Sequence, residues 1–248
     1  MAPLTEKTAI VTGGSGGIGS AIARRLAEDG AAVVINYVRN ADKAQEVVAA
    51  IEARGGQALA IQADISQVAD IHHLFQKAIA HFGELNILIN NAVKPGAFKP
   101  IAEVTEAEFD EQFAVNTRGT FFALQEAARQ MADGGRIVNI STVGTINSVP
   151  AGASVYTSTK AAVEQFTMAL ARELGGRGIT VNTVSPGVTE TEGFRKNAPP
   201  EMQILAAQMS PLGRIGQPQD ISDVVGFLVS DQARWLTGQN IRACGGAA

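Results

Sequence analysis

The sequence predicts an α/β fold in which a parallel sheet of seven strands is doubly wound and covered by helices on both faces. Three observations carry this. Short β-branched runs alternate with longer segments of helical period, the runs are apolar almost throughout, and no linker or internal repeat interrupts the alternation. A strand that is apolar at nearly every position is buried on both faces, and successive parallel strands need helical crossovers between them.

Taken in order, strands are read at TAIV (8–11), AVVIN (32–36), ALAIQ (58–62), NILIN (86–90), RIVNIS (136–141) and ITVNTVS (179–185). The first helix follows from Ile18, Ile22 and Leu26 at four-residue intervals, and comparable periodicity marks helices near 41–54, 67–82, 105–131, 155–174 and 218–230. A seventh strand, QNIRA (239–243), closes the edge. The segment TETEGFRKNAPPEMQ (189–203) is polar, irregular and long for a connection, so residues 189–207 are a candidate lid.

A chain of 248 residues suits one such domain over 1–248. The 20 basic and 24 acidic side chains give a net charge of −4 with no basic run, which argues against a nucleic-acid partner. No apolar window approaches the roughly 18 to 20 residues of a membrane span. The start, MAPLTEKTAIVTGG, carries no secretory pattern, so the cytoplasm is the expected compartment. The lone Cys244 lies in an apolar, Gly-rich tail and reads as a packed thiol. His72, His73 and His81 fall on the helix after strand three and read as surface or packing residues, so no metal site is expected.

The chemistry begins at TAIVTGGSGGIGS, where Gly13, Gly14, Gly16, Gly17 and Gly19, with Ser15 and Ile18 between them, join the first strand to the first helix. Glycine there permits positive φ and lets backbone N–H groups approach a pyrophosphate at the positive end of the helix dipole. Gly14, Gly16 and Gly19 satisfy the dinucleotide-binding spacing in the strand-turn-helix context that gives it meaning.

A second pattern lies in VYTSTKAAVEQF, where Tyr156 and Lys160 are four residues apart and so share a helix face. A phenol with a pKa near 10 is a poor acid-base group, whereas an ammonium at about 4 Å stabilises its phenolate by roughly 4 kcal/mol at an effective dielectric near 20. So tuned, the phenol can give a proton to a ketone oxygen as hydride reaches carbon, or take it back in reverse.

TGGSGGIG, NNA, VN, YTSTK and SPG occur in the order and spacing of the short-chain dehydrogenase/reductase family, and the chain resembles that family over essentially its whole length. The resemblance implies a single-domain Rossmann fold that binds NAD(P). It makes Tyr156 the general acid/base and gives Lys160 two tasks, binding the nicotinamide ribose and lowering the phenol pKa. Asn116 in FAVNTRG would hold a water linking Lys160 to solvent. Asp64 and Ile65 would lie near the adenine, and Asn91 and Ala92 would present backbone to the cofactor, with Val93 standing where the family usually has glycine. Pro186, Gly187 and Val188 by their backbone, and Thr189 by its hydroxyl, would meet the nicotinamide carboxamide.

The family also uses a serine at the end of strand five to bind the substrate carbonyl. Counting from Ile140 lands on Thr142, with Ser141 preceding it. A threonine hydroxyl offers the same donor and acceptor, and a one-residue slip turns a strand-end side chain to the opposite face. Thr142 is favoured and Ser141 is the alternative.

Cofactor choice is read at the end of strand two. An NAD enzyme carries a carboxylate there for the ribose hydroxyls. In VVINYVRNADK that place is taken by Asn36 and Tyr37, followed by Arg39 and Asn40, which offer donors for a 2′-phosphate and no acid. NADP(H) is expected in preference to NAD(H).

The expected activity is hydride transfer from NADPH to a carbonyl, giving a secondary alcohol, as in the 3-oxoacyl carrier-protein reductases and related carbonyl reductases that the chain resembles. The alternatives are an NAD-dependent alcohol, sugar or hydroxysteroid dehydrogenase working oxidatively, and a catalytically silent NADP(H)-binding sensor. Residues 93–99, 143–154 and 189–205 would wall the substrate pocket. The C-terminal region from Arg214 resembles the family segment that packs subunits together, which implies a homotetramer.

Overall fold

The computed structural model describes residues 3–96, 98–146 and 151–248. The seven strands are β1 (Thr8–Val11), β2 (Ala32–Tyr37), β3 (Gln57–Gln62), β4 (Leu85–Asn90), β5 (Met131–Ile140), β6 (Thr180–Pro186) and β7 (Asn240–Ala243). All pairings are parallel, in the order β3-β2-β1-β4-β5-β6-β7. The winding reverses between β1 and β4. Both end beside the crevice where ligands collect in doubly wound sheets.

Side-chain alternation sorts the core into two layers. Ala9, Val11, Val33, Ile35, Ile87 and Ile89 face one way and pack on α1 (Gly17–Glu28), α2 (Ala41–Glu52) and α9 (Pro218–Val229). Ile10, Val34, Leu88, Ile137 and Val181 face the other way, onto α3 (Val68–Phe82), α5 (Thr120–Gln130) and α6 (Ser154–Leu174). Each layer is a continuous apolar cluster, as the near-unbroken apolar strands require. His72 on α3 lies against Glu126 of α5, 3.1 Å away, and His73 and His81 are exposed.

Two sequence expectations are corrected. The single helix expected over 105–131 is divided into α4 (Glu106–Phe113), a π-helical turn (Ala114–Gly119) and α5, and Met131 already belongs to β5. The segment read as irregular contains two helices, α7 (Glu192–Asn197) and α8 (Pro200–Met209). The Thr191 hydroxyl caps the first by accepting the N–H of Phe194, and Pro200 opens the second at a position where its missing N–H costs nothing.

Helix α1 meets the end of β1 at Gly19, where an added Cβ would lie 2.3 Å from the carbonyl oxygen of Gly13 and 2.5 Å from the Asn91 amide. Elsewhere in a helix, alanine in place of glycine is stabilising by up to about 1 kcal/mol. Here the sign reverses, and Gly19→Ala is expected to destabilise by about 1–3 kcal/mol through overpacking. Thermal unfolding checks this, and an unchanged or raised Tm contradicts the close approach.

Candidate active site

The glycine turn opens at the carboxyl end of β1. Gly13 (φ +64°) and Gly17 (φ +52°) occupy the left-handed region that side chains avoid. Gly16, the N-cap of α1, has no side-chain cap and no atom within 4 Å of where a Cβ would stand. The exposed N–H groups of a 12-residue helix and the space in front of them fit a pyrophosphate. Ser15 and Ile18 lie half-buried in the same turn.

Thr12, which precedes the turn, joins it to β4. Its Oγ1 accepts the N–H groups of Asn91 (3.0 Å) and Ala92 (3.1 Å), and the Asn91 amide donates to the carbonyls of Thr12 and Gly13. Asn91 and Ala92 therefore lie directly beside the glycine turn. The Val93 side chain points outward and is exposed.

At the end of β2 the structure corrects one expectation. Asn36 is fully buried, its Oδ1 accepts the N–H of Gly13 (3.2 Å), and its amide donates to the carbonyl of Ala63 (2.9 Å). Its donors are engaged within the protein, so it holds the glycine turn against β3 and offers nothing to a phosphate. Tyr37 is half-buried, and Asn40 caps α2 by accepting the N–H of Lys43. Arg39 is exposed and, among the described residues, makes no ion pair. After β3, Asp64 Oδ1 accepts the N–H of Ser66, and Ile65 is buried with its carbonyl against Gly119.

Asn116 lies within the π-helical turn and is fully buried. Its Oδ1 accepts the N–H of Lys94 (2.8 Å), and its amide donates to the Lys94 carbonyl (3.1 Å) and to Thr159 Oγ1 (3.2 Å). The side chain thus fixes the strand that leaves β4 against α6, one residue before Lys160. Isolated π-turns mark functional sites because they realign the backbone locally.

The end of β5 and the first half of α6 form the centre of the site. Lys160 is 3% exposed and its Nζ donates to the carbonyl of Ile140 at 2.8 Å. Thr142 and Tyr156 line the same cavity. Thr142 Oγ1 accepts the N–H of Gly144 (3.3 Å), which leaves its own proton available. Ser141 is turned the other way and donates to Glu164 Oε1 at 2.5 Å. Thr145 Oγ1 lies 2.7 Å from the same oxygen. Glu164 was not among the sequence candidates, although it follows Tyr156 and Lys160 at the next four-residue step on one face of α6.

Burial governs the ionisation here. It pushes the Tyr156 phenol above its ordinary value, and it lowers the Lys160 ammonium to about 8. In the free protein burial alone sets the direction of the Tyr156 shift, and the Lys160 ammonium is directed at the carbonyl of Ile140. Tyr156 is accordingly a neutral proton donor at pH 7.

Beyond β6, Gly187 N–H donates to Ala243 O, the Thr189 hydroxyl donates to the Gly187 carbonyl, and Val188 O accepts the N–H of Gly216. Pro186 is the last residue of β6, paired in register with Ala243. Helix α7 then crosses toward the glycine turn. The Thr191 side chain stands 3.3 Å from where a Gly17 Cβ would lie, and Glu192 is paired with Lys43 of α2. A cavity of about 470 Å³ opens beside Tyr156 and Thr142, walled by Phe98, Val143, Val188, Met209 and Leu212 and closed by the tail around Cys244. The expected wall positions 97 and 147–150 lie outside the described residues. Among the described residues, no group of acidic, histidine or cysteine side chains is placed to hold a metal, and no helix is long and apolar enough to cross a membrane.

Comparisons with known proteins agree with this geometry. Residues 13–248 match the family model described as enoyl-(acyl carrier protein) reductase. An uncharacterized oxidoreductase of Methylorubrum extorquens is 47% identical over 248 residues, covering 99% of each chain. A hydroxynaphthalene reductase of Aspergillus fumigatus is 42% identical, covering 96% of this chain and 90% of that one. The crystal structure of an angucycline C-6 ketoreductase with bound NADP superposes with a TM-score of 0.93 at 40% identity, covering 99% of this chain and 97% of that one. With the glycine turn, the Tyr156–Lys160 face and the strand order already in place, these matches identify the chain as a member of the short-chain dehydrogenase/reductase family.

Proposed function

We propose that this protein reduces a ketone to a secondary alcohol with NADPH, the reaction being reversible. The observation that carries the reading is the convergence of Tyr156 and Thr142 on one wall of the apolar cavity, with Lys160 buried behind them. The bound nicotinamide would supply the hydride. Tyr156 Oη gives its proton to the carbonyl oxygen as the new C–H bond forms, and Thr142 Oγ1 donates a hydrogen bond to that oxygen. Ser141, whose proton is engaged by Glu164, does not take this role. Lys160 binds the nicotinamide ribose, and Asn116 holds a water that links Lys160 to solvent.

The cofactor lies along the carboxyl ends of the strands. Gly13, Ser15, Gly16, Gly17, Ile18 and Gly19 cradle its pyrophosphate. Asp64, Ile65, Asn91 and Ala92 line the adenosine half, and Pro186, Gly187, Val188 and Thr189 the nicotinamide half. Tyr37, Arg39 and Asn40 receive the 2′-phosphate, while α7 and α8 close over the site as a lid. The apolar walls and the size of the cavity suit a ketone with a bulky hydrocarbon body. This accords with the hydroxynaphthalene reductase and the angucycline C-6 ketoreductase to which the chain is similar. Apolar side chains exposed on α5, α6 and α9, among them Phe121, Met168 and Phe227, support assembly into a homotetramer.

Three outcomes test the reading. A panel of aryl ketones, oxoacyl thioesters and enoyl thioesters assayed with both reduced cofactors is expected to show ketone reduction. Tyr156→Phe is expected to abolish that turnover while leaving NADPH affinity within about threefold, since the phenol transfers the proton and contributes little to cofactor binding. Turnover only of the enoyl thioesters, or a Phe variant near the parent rate, would reject the assignment.

Cofactor preference follows from Arg39. Catalytic efficiency with NADPH is expected to exceed that with NADH by about tenfold or more, equivalent to one charge-assisted contact. Arg39→Ala should weaken NADPH alone. Equal use of both cofactors, or an Arg39→Ala variant with unchanged Michaelis constants, contradicts this.

The Lys160 burial has a pH signature. The unfolded chain holds this proton to about pH 10.5, and the folded chain releases it near pH 8. Between these values the unfolded state binds more protons, so folding stability rises with pH; below pH 8 both states are charged and the contribution is flat. Tyr156, shifted upward, acts in the opposite sense above pH 10. Measured without cofactor, the stability of the parent relative to Lys160→Met is therefore expected to rise between about pH 8 and 10, by on the order of 2 kcal/mol. Parallel stability profiles for the two proteins would place the Lys160 charge in solvent.

A further inference from the structure

We propose that Glu164 is a positioning residue for the substrate-binding hydroxyl of Thr142, holding the turn that follows β5 through the hydroxyls on either side of it. The inference rests on the ketone-reductase reading above and extends it to a residue that touches neither substrate nor cofactor.

Both hydroxyls meet a single carboxylate oxygen. Ser141 Oγ lies 2.5 Å from Glu164 Oε1 and Thr145 Oγ1 lies 2.7 Å from it. Ser141 precedes Thr142 and is 4% exposed, with its N–H bonded to Val184 O of β6. Thr145 closes the short 3₁₀ turn over 143–145, its N–H donating to the Thr142 carbonyl and its hydroxyl lying 3.0 Å from that oxygen. The residue between these two anchors is the one whose Oγ1 keeps a free proton at the cavity wall. Charge-assisted O–H···O⁻ bonds of this length are among the stronger hydrogen bonds in proteins.

The geometry leaves Thr142 little freedom of its own. At residues 140 and 141 the chain leaves the sheet, and from 142 onward no strand pairing directs it. What replaces that pairing is one stripe of α6. Lys160 bonds the carbonyl of residue 140, and Glu164, one helical turn on, bonds the side chain of residue 141 and then of residue 145. The same stripe presents Tyr156 to the cavity. Helix α6 therefore sets the position of both hydroxyls that meet the carbonyl oxygen, Tyr156 directly and Thr142 through Glu164. A displacement of about 1 Å at such a group costs on the order of a hundredfold in rate.

The requirement is for one acceptor oxygen at Oε1, not for a net charge, and this distinguishes positioning from a merely electrostatic role. Glutamine keeps that oxygen, and alanine removes it.

The test measures kcat and KM for a reducible ketone, NADPH Kd by fluorescence titration, and Tm. Glu164→Ala is expected to lower kcat by about ten- to a hundredfold with NADPH Kd within about twofold, whereas Glu164→Gln retains kcat within about threefold. Added to Thr142→Ala, the alanine change should cost less than about twofold more, because a hydroxyl already absent cannot be misplaced. If Glu164→Ala does not fold, the double variant Ser141→Ala/Thr145→Val removes the same two bonds from the other side and should show the same loss of kcat. An active parent whose alanine or double variant keeps its kcat, or whose losses multiply fully with Thr142→Ala, overturns the role of Glu164 alone. A parent that binds NADPH and reduces no ketone overturns both this role and the activity on which it rests.

Discussion

The ammonium of Lys160, 3% exposed and bonded to the carbonyl oxygen of Ile140, is the constraint around which the site is arranged. A buried cation is costly unless its hydrogen bonds are satisfied, and here a partner is supplied by the last residue of β5. That bond fixes α6 in rotation and in height against the sheet. Once α6 is fixed, Tyr156 one turn before and Glu164 one turn after have no choice of direction. The carboxyl end of β5 and the first half of α6 are thus joined, at the cavity, by a bond across 20 residues of sequence.

A second set of contacts does the same for the glycine turn without any charge. Asn36, Thr12 and Asn91 are buried or half-buried polar side chains whose bonds end on backbone of that turn and of the segments that follow β3 and β4. Bonds of this kind hold the turn, with the Gly13 N–H taken by Asn36, and leave the start of α1 without a side-chain cap. Deeper in the sheet, Asn90, Asn139, Thr167 and Thr183 form a continuous buried chain of bonds from β4 to β6 beneath the site. Such networks rigidify when every member is satisfied.

Much of this was legible in the sequence, and the failures have physical causes. Most of the strands were recognisable because burial on both faces leaves them largely apolar. Helix 105–131 read as continuous because the apolar period carries across the π-turn, where one extra residue per turn changes phase without a proline or glycine pair to announce it. The helices of 189–207 were missed for the opposite reason. Met202, Ile204, Leu205 and Met209 are all exposed and form no single buried stripe, although the Thr191 cap and the Pro200 start were signals on the page. Asn36 was found as a position but not as a role, since direction at a strand end depends on register. Thr142 followed from that same alternation, whereas Glu164 required knowing that the turn after β5 folds back onto α6. The spacing places Tyr156 and Lys160 on one face, whereas the desolvation of the phenol depends on tertiary burial that spacing does not carry.

Polar groups along this edge of the sheet fall into two populations, those paired within the protein and a few that are not. Among the described residues, the Tyr156 hydroxyl, the Thr142 proton and the Arg39 guanidinium belong to the second, while their neighbours Ser141, Asn36, Asn91 and Asn116 belong to the first. The unpaired hydroxyls share an apolar cavity in which water competes poorly for them and a hydrogen bond to a developing oxyanion is stronger than in solvent. The burial that creates this advantage also strips solvent from Lys160, so the group that organises the site also destabilises the folded chain. Stability and proton transfer are therefore opposed on a single face of α6, and the opposition is local: it arises from where Lys160 sits and not from any strain elsewhere in the sheet.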